Sequence, residues 1–252
     1  EILEAEADGR VSVNKESGRK TNGVYYTPEW IVERIVHEAL GGRLTEIKEE
    51  CGWAVDGFGT ATTGDVHAID AYRERLQVVR VLDPACGSGA FLITALKYLL
   101  TEWRSILDLR RRVSGDPMAR DEDEVIRDVL RTNLYGVDIN PSSVEITQLA
   151  LWLHTARGDR PLSSLDAHIR DGNSLIDGHF WLGQQALDLD DEGRDRINPF
   201  DWAEAFPEAI ADGGFDVVLG NPPYVKLQNF RKAHPDMADY LRNGRPGTAF
   251  TG

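Results

Sequence analysis

The chain is 252 residues long and 41% apolar, with 28 Lys/Arg against 42 Asp/Glu and a formal net charge of −14. This length supports one large domain or two small ones with a real core, and no apolar run is long enough to span a membrane. The acid excess argues against a free-standing nucleic-acid binder, because neutralising phosphates calls for a basic face. No basic-then-apolar leader opens the chain. Residues 1–22 are polar, contain Gly and Ser, lack apolar periodicity, and read as a linker or loop. A helical segment is expected over 23–77. Thr27 suits an N-cap and Pro28 a first turn, and Ile31, Val32, Ile35, Val36 and Leu40 recur at helical spacing before Gly41-Gly42. A weaker helix follows over Leu44–Glu50, then a Gly/Thr-rich loop "DGFGTATTGD", then a helix over Val66–Gln77.

From Val78 the pattern changes. "VVRVLDPACGSGAFLITALKYLL" reads as a β-branched strand, a glycine turn and a long helix from about Ala90. A run of mixed charge, "RRRVSGDPMARDEDEVIRD", reads as a solvated helical insertion. "LYGVDINPSSVEITQLALWLHTA" repeats the strand–turn–helix unit, "HIRDGNSLI" offers a third strand and "FDVVLGNPPY" a fourth. Strands alternating with helices predict a parallel α/β sheet over 78–225, in which ligands sit at the carboxyl ends of the strands. Asp83, Asp138, Asp171 and Asn221 all fall at such ends. The last segment, 226–252, is locally basic, with Lys226, Arg231, Lys232, Arg242 and Arg245 against Asp236 and Asp239. A start at Glu1 and an end on "GTAFTG" lead us to expect a piece of a longer polypeptide.

The glycine turn has Gly87-x-Gly89, but Leu92 stands where a dinucleotide fingerprint has its third glycine, and no Lys-Ser/Thr follows as in a P-loop. Gly87 and Gly89 let backbone approach a ligand closely, and a nucleoside without a pyrophosphate suits the turn best. Asp138 can accept from both hydroxyls of a ribose or serve as a cap, although Asn140 stands in the better capping position. Asp171 can accept from an adenine amino group or close a turn. In Asn221-Pro222-Pro223-Tyr224 the prolines stiffen the backbone. The Asn221 side-chain oxygen and the Pro222 carbonyl can grip both hydrogens of a planar –NH2, while Tyr224 offers a face for stacking.

Other constellations are absent. The six histidines are scattered and "DEDE" has no returning ligands, so no metal site is expected. Cys51 and Cys86 form neither a disulfide framework nor a metal cluster, which suits a reducing, cytoplasmic setting. Ser88 lies outside a nucleophile elbow, and Cys86 has no evident partner base.

"GVYYTPEWIVERIV", "VLDPACGSGAFL", "YGVDINPSSVEITQLALWL", "RDGNSL" and "GNPPYV" together resemble, in order, the motifs of the gamma-class N6-adenine DNA methyltransferases. The nearest resemblance is to the modification domain of type IIG restriction–modification and phage-exclusion methylases, over roughly Gly23 to Lys226. It implies a Rossmann-like S-adenosylmethionine-dependent methyltransferase fold, a parallel-rich sheet flanked by helices with an N-terminal helical segment. The sheet is expected to be incomplete here, because the family has further strands and a target-recognition domain after the catalytic motif.

The resemblance also assigns roles. It places the methionine moiety of S-adenosylmethionine against Tyr26, Thr27, Asp83 and the Ala85-Cys86-Gly87 turn, with Gly89 completing that turn. It gives the ribose to Asp138, the cofactor's adenine ring to Ile139 and that ring's amino group to Asp171. A target adenine flipped from double-stranded DNA falls to Asn221, Pro222, Pro223 and Tyr224. Two rivals share part of the pattern. One is a methyltransferase of a glutamine amide or guanine amino group in the translation machinery; the other is a cofactor-binding fragment that needs missing parts. No PD…ExK nuclease signature is present, so a linked nuclease would lie elsewhere in the parent chain.

Overall fold

The computed structural model describes residues 2–5, 11–14, 27–53, 66–114, 122–154, 165–182, 197–222 and 227–243. Contacts divide the chain into two units, residues 1–27 with 221–252, and residues 28–220. In the first unit Ile2–Ala5 (β1) pairs antiparallel with Val11–Asn14 (β2), Ile2 opposite Asn14 and Ala5 opposite Val11. The opening stretch, expected as loop, therefore contains a hairpin. The same unit carries helices Leu227–Ala233 and Pro235–Asn243, which pack on each other. Arg231, Lys232 and Arg242 are exposed on them.

The second unit opens with helix α1 (Glu29–Val36), whose N-cap is Pro28 with no side-chain cap. Thr27, expected to be that cap, stands one residue upstream and uses its hydroxyl elsewhere. A π-turn, His37–Gly41, carries α1 into α2 (Gly42–Glu50), so Gly41-Gly42 does not end the helix as expected. A Cβ on Gly41 would stand 2.6 Å from Tyr98 Oη. The glycine marks a close approach between helices, and its backbone stays helical. The expected loop "DGFGTATTGD" falls outside the described residues. Helix α3 (Val66–Val78) follows as predicted.

Among the described residues four strands form the sheet, β3 (Val81–Asp83), β4 (Leu134–Asp138), β5 (Ile169–Asp171) and β6 (Val217–Val218), ordered β5-β4-β3-β6 with every pair parallel. Period-2 alternation sorts their side chains between two cores. Val81, Leu134, Ile169 and Val217 face a large core shared with α1, α2, α3 and the crossover helices α4 (Ala90–Ser114) and α5 (Glu122–Thr132). Leu82, Tyr135 and Val137 face the other way, against Phe200, Phe206 and Ala209. The charged insertion is less solvated than its composition suggests. Val125, Ile126, Val129 and Leu130 of α5 are buried, a stripe that the surrounding charges conceal.

Helix α6 (Pro141–Leu153) follows β4, with Asn140 Oδ1 accepting from the Ser142 amide at 3.0 Å and Pro141 in the first turn, as the sequence predicts. The chain runs outward from β3 through β4 to β5, then returns to place β6 on the other side of β3. That reversal is a topological switch point, where a parallel α/β sheet opens a crevice at its carboxyl end. Among the described residues no helix is long and apolar enough to cross a membrane.

Candidate active site

The turn after β3 is built at this switch point. Gly87 and Gly89 have φ of +53° and +83°, conformations that side chains resist. A Cβ on Gly89 would also lie 2.9 Å from Thr147 Cγ2. The turn is pinned from two sides. Thr147 Oγ1 donates to the Gly87 carbonyl at 2.7 Å, and the Gly87 amide donates to Asp138 Oδ2 at 2.8 Å. Sequence reasoning missed Thr147. The available signal was a lone hydroxyl on the buried stripe of α6 between Val144 and Leu151.

Asp138 thus holds the glycine turn, and its Oδ1 also accepts from the Asn140 amide at 2.9 Å. A carboxylate has about four acceptor sites, so two backbone donors leave capacity for ligand hydroxyls. Asp138→Ala is expected to weaken nucleoside binding and loosen the turn together. Calorimetry with S-adenosylmethionine, the cofactor implied by the sequence resemblance, should show affinity falling about tenfold or more, as for loss of a hydrogen bond to a charged group.

Asp83 ends β3 fully buried, with Oδ1 accepting from the Ala85 amide at 3.1 Å. Its Oδ2 is buried and makes no hydrogen bond among the described residues. Burial pushes this carboxyl up to about 7, the Ala85 amide opposes the shift and the nearby charge of Asp138 adds to it. A half-satisfied buried acid of this kind is costly unless a donor or cation completes it. Gly220, two residues past β6, has φ +152°, and a Cβ there would meet Asp83 Oδ1 at 2.5 Å. Its missing side chain leaves room for the acid.

Cys86 donates its backbone N–H to the Val137 carbonyl at 2.9 Å, while its thiol is buried in the large core. Burial pushes that thiol well above its ordinary range, so the side chain is packing and not a nucleophile. Beyond β4, Ile139 is 52% exposed, an apolar side chain held out at a strand end. Asp171 ends β5, and its Oδ2 accepts from Asn198 Nδ2 at 3.0 Å. Asn198 was not anticipated; it sits at φ +38°.

In the other unit, Asn221 Nδ2 donates to Thr27 Oγ1 at 3.1 Å, joining residues 194 positions apart. Both are part-buried, whereas Pro222 is exposed. Tyr26, Pro223 and Tyr224 lie outside the described residues, as does Lys226.

A parallel sheet with a glycine turn and strand-end acids at its switch point is the arrangement of a Rossmann-like methyltransferase. Residues 132–249 match the family described as Eco57I restriction-modification methylase. That match takes in just under half of the chain, which is similar to the family over that stretch. It is similar to a putative type II restriction enzyme and methyltransferase of Methanocaldococcus jannaschii, 30% identical over 204 residues, covering 71% of this chain and 16% of the relative. It also resembles the adenine-specific methyltransferase PglX of Streptomyces coelicolor, at 27% identity over 241 residues, covering 88% of this chain and 17% of that protein. The type II restriction enzyme and methyltransferase RM.Eco57I of Escherichia coli is 29% identical over 173 residues, 64% of this chain and 16% of its own length. The chain therefore spans about one sixth of the length of the curated relatives it matches. The family read from the ordered motifs is borne out.

Proposed function

We propose that this chain is the catalytic core of an enzyme that methylates the N6 amino group of a flipped adenine in DNA, using S-adenosylmethionine, within a restriction–modification or phage-defence protein. The observation that carries this reading is the buried Asp83 Oδ2, without a hydrogen-bond partner among the described residues, beside a glycine turn that Asp138 and Thr147 hold. A cationic amino group on a nucleoside-bearing ligand completes that acid and fits the cradle. The names of the relatives support adenine as the base.

When bound, S-adenosylmethionine supplies an electrophilic sulfonium methyl group. Asp83 balances the ligand's ammonium, with Tyr26, Thr27 and the backbone of Ala85, Cys86, Gly87 and Gly89 against its methionine end. Asp138 accepts from the ribose hydroxyls, Ile139 covers the adenine ring and Asp171 accepts from that ring's amino group. Asn221 Oδ1 and the Pro222 carbonyl accept from the N6 amino group of the target base, which holds its nitrogen in one orientation. Pro223 stiffens that clamp. Tyr224 recovers stacking lost on flipping, worth roughly 1–3 kcal/mol per base. The basic stretch with Lys226, Arg231, Lys232, Arg242 and Arg245 contributes phosphate contacts on double-stranded DNA. Sequence recognition belongs to a target-recognition domain of the parent chain, which acts in the cytoplasm.

The Asp83 assignment makes a pH prediction. Its carboxyl, raised to about 7 by burial, is neutral below that pH and cannot balance an ammonium. Affinity for S-adenosylmethionine is therefore expected to rise between pH 6 and 8, with a proton released on binding below pH 7. Calorimetry in buffers of different ionisation enthalpy measures that proton. Binding that is equally tight across this range, with no proton release, contradicts the role of Asp83. Failure to bind S-adenosylmethionine at any pH contradicts the proposed function.

A further inference from the structure

Thr27 and Asn221 are joined by a hydrogen bond whose direction matters. Asn221 Nδ2 donates to Thr27 Oγ1 at 3.1 Å, which assigns the amide nitrogen to the threonine and leaves Oδ1 outside that bond as an acceptor. An amide has two nearly isosteric ends of opposite hydrogen-bonding character. Rotated by half a turn, Asn221 would present –NH2 toward the amino group it is proposed to hold, and two donors would face each other. Thr27 does not cap α1, since Pro28 occupies that position with no side-chain bond. Its hydroxyl is thereby released from the local duty the sequence suggests and is committed to a residue nearly the whole chain away.

The geometry points to Thr27 as a positioning residue that fixes the amide of Asn221 with its oxygen presented to the substrate amino group. This rests on the proposed function and deepens it. A hydroxyl has one proton to donate, so it can favour either amide orientation. With Oγ1 accepting from Nδ2, its proton must be directed to another acceptor. A carboxylate supplied by the bound amino-acid end of a cofactor is the chemical class that enforces this, because a carboxylate accepts and never donates. Thr27 then acts as a polarity relay. Ligand binding commits its proton, and the committed hydroxyl holds Asn221 in the acceptor orientation.

The test compares Thr27→Val, which keeps the shape without the hydroxyl, with Thr27→Ser, which keeps the hydroxyl. Single-turnover transfer of labelled methyl groups from S-adenosylmethionine into unmethylated plasmid DNA is measured in the intact protein. Cofactor Kd is measured separately by calorimetry, and thermal melting verifies folding of each variant. At saturating cofactor, Thr27→Val is expected to be about tenfold or more slower, the effect of losing one oriented hydrogen bond. Thr27→Ser is expected to stay within about threefold of wild type, less than one such bond. If Thr27→Val regains the wild-type rate at saturating cofactor, the residue serves binding alone and the positioning role is overturned. If Thr27→Ser is as slow as Thr27→Val, a hydroxyl at this position does not restore the rate, and a positioning role carried by the hydroxyl is overturned equally. A wild-type protein that binds S-adenosylmethionine yet incorporates no methyl group contradicts the methyltransferase reading itself.

Discussion

Asn221→Ala is expected to lower methyl transfer by about a hundredfold or more while leaving S-adenosylmethionine affinity near wild type. Removing one preorganised polar group at a reacting centre costs on that scale in other enzymes. The side chain follows Gly220 and precedes two prolines, so its backbone has little freedom, and its Nδ2 is anchored on Thr27. What alanine removes is the Oδ1 acceptor proposed to hold the target amino group. Asp83, Gly87 and Asp138, the residues proposed to hold the cofactor, are fixed by their own hydrogen bonds to Ala85, Thr147 and Asn140, none of which involves Asn221. Transfer assays paired with calorimetry check this prediction. Equal loss of rate and cofactor affinity contradicts the division of labour.

Gly220→Ala is expected to damage both fold and cofactor binding. Its φ of +152° is a conformation that residues with a side chain rarely adopt, and holding alanine there costs about 1–3 kcal/mol. The new Cβ would also press within 2.5 Å of Asp83 Oδ1, and the acid has little room to yield because it is fully buried. Gly213→Ala is the control, since φ there is +102° but a Cβ meets nothing within 4 Å. Both variants should melt earlier. Only Gly220→Ala should also lose about tenfold or more in affinity for S-adenosylmethionine, because it displaces a charged partner. Matching affinities for the two variants would remove Gly220 from the site.

The strand-end acids were legible because the signal is local: an apolar β-branched run that stops at Asp83 or Asp138 specifies both the strand and the exit point of its side chain. The same locality explains the misreadings. Gly41-Gly42 looks like a helix stop until Tyr98, far along the chain, supplies the reason for a missing Cβ. Thr27 looks like a cap because the next residue is proline, yet its partner is Asn221, which no window of neighbouring residues contains. Thr147 and Asn198 were invisible for a similar cause, since each acts by reaching a backbone or carboxylate brought close only by the folded sheet. The buried stripe of α5 was hidden by composition, as charges on its other face dominate the count.

The central claim is most directly tested by chemical identification of the product. The intact protein is incubated with S-adenosylmethionine and unmethylated duplex DNA, the DNA is digested to nucleosides, and these are separated and weighed by mass spectrometry. N6-methyldeoxyadenosine is the predicted product, appearing with wild type and falling about a hundredfold or more with Asn221→Ala. Methylated cytosine or guanine in its place, or N6-methyldeoxyadenosine in undiminished yield from the Asn221→Ala protein, would contradict the account.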